Sequence, residues 1–278
     1  MECKVQQPVY QLHDQEEYQA LMDGLEKSKF HKAMILQHIA RDAAKIVEVG
    51  CGNGVVLDLL SHNFPQSEII GIDLDPVMCK AAKERKLSNV EILLTDAAAI
   101  PLQNETVDTV VYCSTIHEIF SHGGPADVTE SLREAIRVLK PGGCIIIRDT
   151  LKPSADIVSV SFKKRWVEKR FHKFIGEYKQ LKPQYYKQMQ CGTVQINQDY
   201  LFEYLTKYFY EVGWYKEMEE IYGYFTKEDF CDALTGLGLQ VATIHSYLLP
   251  YFQKKWSRDL DVDTSFPNST VIIKAEKV

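Results

Sequence analysis

The chain contains no run of about 18 or more apolar residues, so no membrane-spanning helix is expected. Its first residues, Met1 to His13, lack a basic stretch followed by an apolar core, which speaks against a secretory signal. Cysteine is scattered: the seven lie singly at positions 3, 51, 79, 113, 144, 191 and 231, with no CxxC pair. That pattern excludes a zinc ribbon and argues against a disulfide framework. Reduced thiols in a cytoplasmic protein are expected instead. Positive charge is not in excess. There are 32 Lys and Arg against 38 Asp and Glu, a formal charge of −6, so the chain as a whole is not a basic nucleic-acid binder. There is no internal repeat and no low-complexity linker. The carboxylates Asp149, Asp259, Asp261 and Asp263 are too loosely arranged to hold a metal, and none is expected.

What is present is an ordinary globular composition, 45% hydrophobic and 25% charged over 278 residues, enough for a sizeable core. Residues from about Gln15 to Ala40 have helical spacing, with Leu21, Leu25, Met34, Ile35 and Ile39 at the apolar positions. Short β-type runs then alternate with helical ones. Strands are predicted at 45–50, 68–73, 90–94, 107–113 and 144–148, and helices at 55–61, 76–86 and 127–139. Pro141-Gly142-Gly143 stops the last helix. The alternation predicts an α/β fold with a doubly wound parallel sheet, whose strand C-termini share one ligand-binding edge.

After Thr150 the rhythm stops. Residues 151–225 are aromatic and largely helical in pattern, with Phe162, Trp166, Phe174 and Tyr178 on one stripe and Tyr200, Tyr204 and Tyr208 on another. The α/β rhythm resumes at Thr226, a candidate N-cap, and ends with strands at 239–247 and 269–275. The division is therefore 1–40 an N-terminal helical cap, 41–150 the core, 151–225 a helical insertion, and 226–278 the return to the core.

Four motifs carry chemistry. Glu48-Val49-Gly50-Cys51-Gly52-Asn53-Gly54 is a glycine turn between strand and helix, where a ligand can approach the backbone closely. Its spacing is G-x-G-x-G; a dinucleotide fingerprint needs glycine at position 55, which is Val. Asp73, about 20 residues on, is placed to accept from ribose hydroxyls, whereas Asp75 before Pro76 fits a helix cap. Asp96-Ala97 follows the third strand; a carboxylate there can take an exocyclic amino group or simply form a turn. Cys113-Ser114, with His117 and Glu118 just beyond, ends the fourth strand at the centre of the binding edge.

In this order, and with Arg137-Val138-Leu139-Lys140-Pro141-Gly142-Gly143 after them, the motifs resemble the class I (Rossmann-like) S-adenosylmethionine (SAM) dependent methyltransferases, most of all their small-molecule branch. The resemblance covers about residues 40–150 and the terminal helix and hairpin. It implies a seven-stranded, mostly parallel sheet of order 3-2-1-4-5-7-6 with strand 7 antiparallel. It implies SAM as cofactor and S-adenosylhomocysteine as product. Glu48, Gly50, Cys51 and Gly52 would face the methionine part, and Gly54 would let the following helix pack closely. Asp73 would hold the ribose and Leu74 would flank the adenine. Asp96 and Ala97 would meet the adenine amino edge, and Cys113 and Ser114 would floor the site near the methyl group.

The expected reaction is in-line methyl transfer to an N, O or C nucleophile, with alignment and exclusion of water as the main tasks. His117 is the candidate catalytic base; the same side chain can equally shape the pocket or cap a helix. The N-terminal helices and the 151–225 insertion are expected to form a lid that builds the acceptor pocket, with Tyr185, Tyr186, Tyr200, Tyr204 and Tyr208 either lining it or forming the lid's core. The basic stretch 162–190 is either a solvated face or an attraction site for RNA or an acidic partner. Partner expectations follow: a small-molecule acceptor first, RNA or a peptide as the alternative, or a SAM-binding subunit without turnover, and no membrane. The sequence sets no oligomeric state.

Overall fold

The strand Lys45–Val49 (β1) is buried at four of five positions, as a central strand covered on both faces must be. Ahead of it lie α1 (Gln15–Lys27), α2 (Lys29–Lys32) and a 3-10 turn (Ala33–His38). After it come α3 (Val55–Asn63), β2 (Glu68–Asp73), α4 (Pro76–Glu84), β3 (Val90–Leu94), β4 (Val107–Cys113), α5 (Ile116–Val138) and β5 (Leu139–Thr150). The computed structural model describes residues 15–189 and 192–278. Cys3, Cys191 and the stretch read for a signal lie outside the described residues.

The chain continues through β6 (Ile157–Phe162), α6 (Arg165–Glu177), β7 (Tyr186–Gln188), β8 (Thr193–Asn197), α7 (Gln198–Lys207) and α8 (Trp214–Glu217). It closes with α9 (Lys227–Gly236), β9 (Leu239–Tyr247), α10 (Pro250–Asp259), β10 (Leu260–Val262) and β11 (Thr270–Lys277). The main sheet runs β3-β2-β1-β4-β5-β11-β9, with β11 antiparallel to both neighbours. This is the expected order, with β9 as sixth core strand and β11 as seventh. Alternate residues serve opposite faces. Val110 and Tyr112 face α5 and α9, whereas Val111 and Cys113 face α3, α4 and the 3-10 turn. Thr226 caps α9 in a reciprocal box with Asp229.

The insertion differs from the helical expectation. Together with β10 it forms a second, antiparallel sheet of order β10-β6-β8-β7, alongside helices α6 and α7. The physical reason is visible in Ile157-Val158-Ser159-Val160-Ser161-Phe162, which buries Val158 and Val160 at the period of a strand. The aromatic helical stripes on either side mask that short alternation. The segment 250–262, set between β9 and β11, also leaves the main sheet and packs here. Trp256 is fully buried, stacks on Phe252 at 5.0 Å, and donates from Nε1 to the Leu205 carbonyl at 2.9 Å.

Trp256→Ala is expected to cost about 3–5 kcal/mol in urea unfolding, the range for a large buried aromatic. A loss under about 1 kcal/mol would show that the 250–262 segment is not integral to the second sheet's core.

Candidate functional site

Glycine turn and helix starts converge at the C-terminal edge of the main sheet. Gly50 has φ +68°, and a Cβ there would run into the Thr115 side chain, so the loop can lie against β4 only with glycine at this position. Gly54 opens α3 at φ +78°. The close packing it allows is against Ala82 and Arg85 at the end of α4, not against the helix that follows it. Asp73 is fastened to the loop: Gly52 N–H donates to Oδ2 at 2.7 Å and Asp75 N–H to Oδ1 at 2.9 Å. Burial raises its pKa, and those amides oppose the rise. Asp75 caps α4 by accepting from Val77 and Met78 N–H. Asp96 accepts from Ala98 N–H in a local turn at 2.8 Å.

Glu48 is 2% exposed, and its Oε2 has no hydrogen-bond partner. Burial holds this carboxyl well above its usual range, with the Lys32 charge opposing and Asp73 adding to the effect. Burial likewise raises the thiols of Cys51 and Cys113, so both are protonated wall groups and not nucleophiles.

Between β4 and α5, Ser114 adopts a left-handed φ of +62°. Its N–H reaches the Arg148 carbonyl at 2.7 Å, and its Oγ accepts from the Arg148 guanidinium at 3.0 Å. Thr115, the N-cap of α5, makes no side-chain cap; its hydroxyl goes to the Val49 carbonyl. Asp149 caps the helix in its place, accepting at Oδ2 from the amides of Thr115, Ile116 and His117. Its Oδ1 lies 2.7 Å from His117 Nδ1. His117 Nε2 faces Glu220 Oε2 at 3.9 Å, and its ring stacks on Tyr222 at 4.8 Å. Burial works against the imidazolium, but Asp149, with Glu118 and Glu220 adding, pushes the pKa up to about 9.

These groups border two adjoining cavities. The first, about 540 Å³, is lined by Glu48, Gly50, Cys51 and Gly52, by Asp73 and Leu74, by Asp96 and Ala97, and by Cys113 and Ser114. Of the predicted cofactor residues, Gly54 alone stands behind the wall. The second, about 580 Å³, holds His117. Leu25, Lys32, Ser114 and Glu118 line both, so the cavities meet at the end of β4.

Residues 47–147 match a family described as a methyltransferase domain. The central part of this chain is a methyltransferase domain. A phthiotriol/phenolphthiotriol dimycocerosates methyltransferase of Mycobacterium leprae is 32% identical over 111 residues, 40% of this chain and 38% of that protein. A demethylmenaquinone methyltransferase of Symbiobacterium thermophilum is 27% identical over 173 residues, 58% and 66% of the two chains. The alignments span less than two thirds of each relative. Among solved structures, a SAM-dependent methyltransferase of Thermotoga maritima, described as a possible histamine N-methyltransferase, superimposes with a TM-score of 0.53 at 17% identity, covering 95% of this chain and 96% of its own. That likeness establishes the fold.

The tyrosines had two readings, pocket lining or lid core, and none of the five lines either cavity. Tyr200, Tyr204 and Tyr208 are core of the second layer, with the hydroxyls of Tyr204 and Tyr208 bound to the Val167 carbonyl and Asp259. Tyr185 and Tyr186 lie at β7 and line neither cavity. The aromatics beside the methyltransferase domain's second cavity are Phe209, Tyr210, Tyr215, Tyr222 and Phe252. Sequence reasoning missed them because they sit in loops and helix ends without period. It also missed Asp149, Arg148, Lys32, Glu217 and Glu220. Asp149 had a usable signal, since it stands near the C-terminal end of β5, the strand beside β4, and must come close to Ser114. Burial, the Glu220 charge next to it and weaker opposition from Lys207 leave the Glu217 carboxyl raised well above its usual value.

No described helix is long and apolar enough to cross a membrane. The basic segment is partly neutralised: Lys163 pairs with Asp261 and Lys164 with Asp259, while Arg170 lies 4.1 Å over the Trp214 ring.

Because the folded pKa of His117 lies above the 6.5 of free histidine, the His117–Asp149 pair stabilises fully below about pH 6.5 and loses that contribution as pH rises through about 9. Urea unfolding of the wild type should therefore show a fall in stability between pH 6 and pH 9.5 that is absent in His117→Asn. Equal pH dependence of the two would contradict the charged pair.

Proposed function

We propose that the chain transfers the methyl group of SAM to a nitrogen, oxygen or carbon nucleophile of a small molecule, leaving S-adenosylhomocysteine. The observation that carries this reading is the pair of cavities that meet at Ser114 and Glu118, one walled by the glycine turn and Asp73, the other by His117 and aromatic rings. The residues fit the cofactor. The buried, unpartnered Glu48 Oε2 suits an ammonium group, and Gly50, with no Cβ to meet Thr115, keeps the turn against the end of β4 as a wall of the cavity. SAM when bound supplies a methyl group already activated by its sulfonium.

The chain's own residues hold and shield. Glu48 with the backbone of Gly50, Cys51 and Gly52 takes the methionine end, and Gly54 keeps α4 close behind the turn. Asp73, pre-oriented by two amides, takes the ribose hydroxyls, and Leu74 flanks the adenine. Asp96 and Ala97 take the amino edge, while Cys113 and Ser114 floor the seam between the cavities. His117 receives the proton that an acceptor hydroxyl or ammonium must lose, with Asp149 fixing its ring and Glu220 beyond it. The second cavity falls within the range of about 300–1,000 Å³ usual for small-molecule sites. The ion pairs of Lys163 and Lys164 leave less free charge for RNA or an acidic peptide.

Incubation with methyl-labelled SAM and a cell extract, followed by size separation with and without ribonuclease and protease, tests the reading. Label is expected in the low-molecular-weight fraction, reduced at least about tenfold in Asp73→Ala through loss of a charge-assisted contact. Label found only in ribonuclease- or protease-sensitive material would overturn the small-molecule acceptor. Binding of SAM without transfer to any fraction would fit a non-catalytic subunit. With an acceptor identified, turnover should rise with pH towards about 9. His117→Asn should lose that rise together with about a hundredfold in rate.

A further inference from the structure

The charges lining the first cavity are unbalanced. Among the described residues, Asp73, Asp75, Asp96 and Asp127 together with Glu48, Glu118 and Glu130 face one lysine, Lys32, one histidine, His122, and no arginine. SAM itself carries a sulfonium and an ammonium, both cationic, and a single anionic group, its carboxylate. The carboxylates of the wall suit the first two. The anionic group needs a cation, and among the described residues Lys32 is the lysine or arginine that borders the cavity.

Lys32 has the features of a group waiting for a partner. It is 8% exposed, yet its ammonium makes no hydrogen bond or ion pair among the described residues. Its side chain borders both cavities, where an anionic ligand group would add a charge-assisted contact. It lines the cavity together with Glu48 and Cys113, and its charge acts on both, which puts it on the side of the glycine turn that holds Glu48. Its backbone is fixed: Lys29 pairs with Asp58 of α3 on one side, and Ile35 is fully buried in the core on the other.

We infer that Lys32 is the carboxylate anchor for SAM, so that cofactor arrival pins the N-terminal α2 segment across the seam of the two cavities. This inference rests on the SAM reading above. It assigns to the N-terminal cap a direct contact with the cofactor, outside the 47–147 methyltransferase domain.

Isothermal titration with SAM and with decarboxylated SAM, which keeps the sulfonium, ammonium and adenosine, separates the possibilities. The wild type is expected to bind SAM about ten- to a hundredfold more tightly than the decarboxylated compound, the range of one charge-assisted contact. Lys32→Met should remove that preference, weakening SAM while leaving the decarboxylated compound unchanged or tighter. Lys32→Arg should keep the preference, and thermal melts of both variants report folding. Equal affinity of the wild type for the two compounds overturns the inference without any variant, as does a preference that persists in Lys32→Met. Failure of the wild type to bind either compound sinks the SAM reading itself, and this inference with it.

Discussion

Strands β4 and β5 end side by side, Cys113 opposite Arg148, and the next residue on β5 places a carboxylate in full burial between them. Asp149 there accepts from three amides at the start of α5, from Thr150 N–H and from the His117 ring. A helix start left without acceptors in a dry interior would be strongly unfavourable, and Thr115 does not serve, its hydroxyl being turned to the Val49 carbonyl of β1. One carboxylate therefore joins sheet to helix and sets the orientation of the imidazole. It also leaves Ser114 in its left-handed turn at the point where the two cavities meet.

The second layer is tied to this point through Tyr222. Its backbone carbonyl accepts from the Thr150 hydroxyl, and its amide donates to Glu203. Its ring lies between His117 and the Lys207 ammonium, 4.2 Å from the latter. Glu203 and Lys207 form an ion pair with no side-chain exposure, and Glu203 also accepts from Gly223 N–H and Tyr178. A buried pair with so many additional hydrogen bonds specifies position more than it adds stability. The wall of the second cavity is thus braced from within the second layer, which suits the methyl transfer proposed above, a reaction that must exclude water.

Much of this protein was legible before folding, because the relevant chemistry is local. A strand, a glycine turn and a helix within ten residues define the loop from Glu48 to Gly54, and the next strand end delivers Asp73 to it. Alternation of short strands with helices was sufficient for a doubly wound parallel sheet, whereas the strand order was implied by the resemblance of the motifs to the class I methyltransferases. The sheet hidden in the insertion was not legible. Its strands are short, and aromatic residues at helical spacing dominated the same segment. The tyrosine stripes were conspicuous because they form a core, and for that reason they are absent from the pocket.

What the sequence by itself determined is the wall of the first cavity, the edge proposed for the cofactor: residues adjacent in the chain, held in one geometry by backbone constraints that glycine and aspartate announce. What only the tertiary structure decided is the second cavity and the state of its histidine. Lys32, His117, Asp149 and the pair Glu220 and Tyr222 come from four separate segments, and no spacing links those segments. The charge on His117 is a property of burial and of carboxylates from other elements, and those exist as neighbours only after the chain has folded.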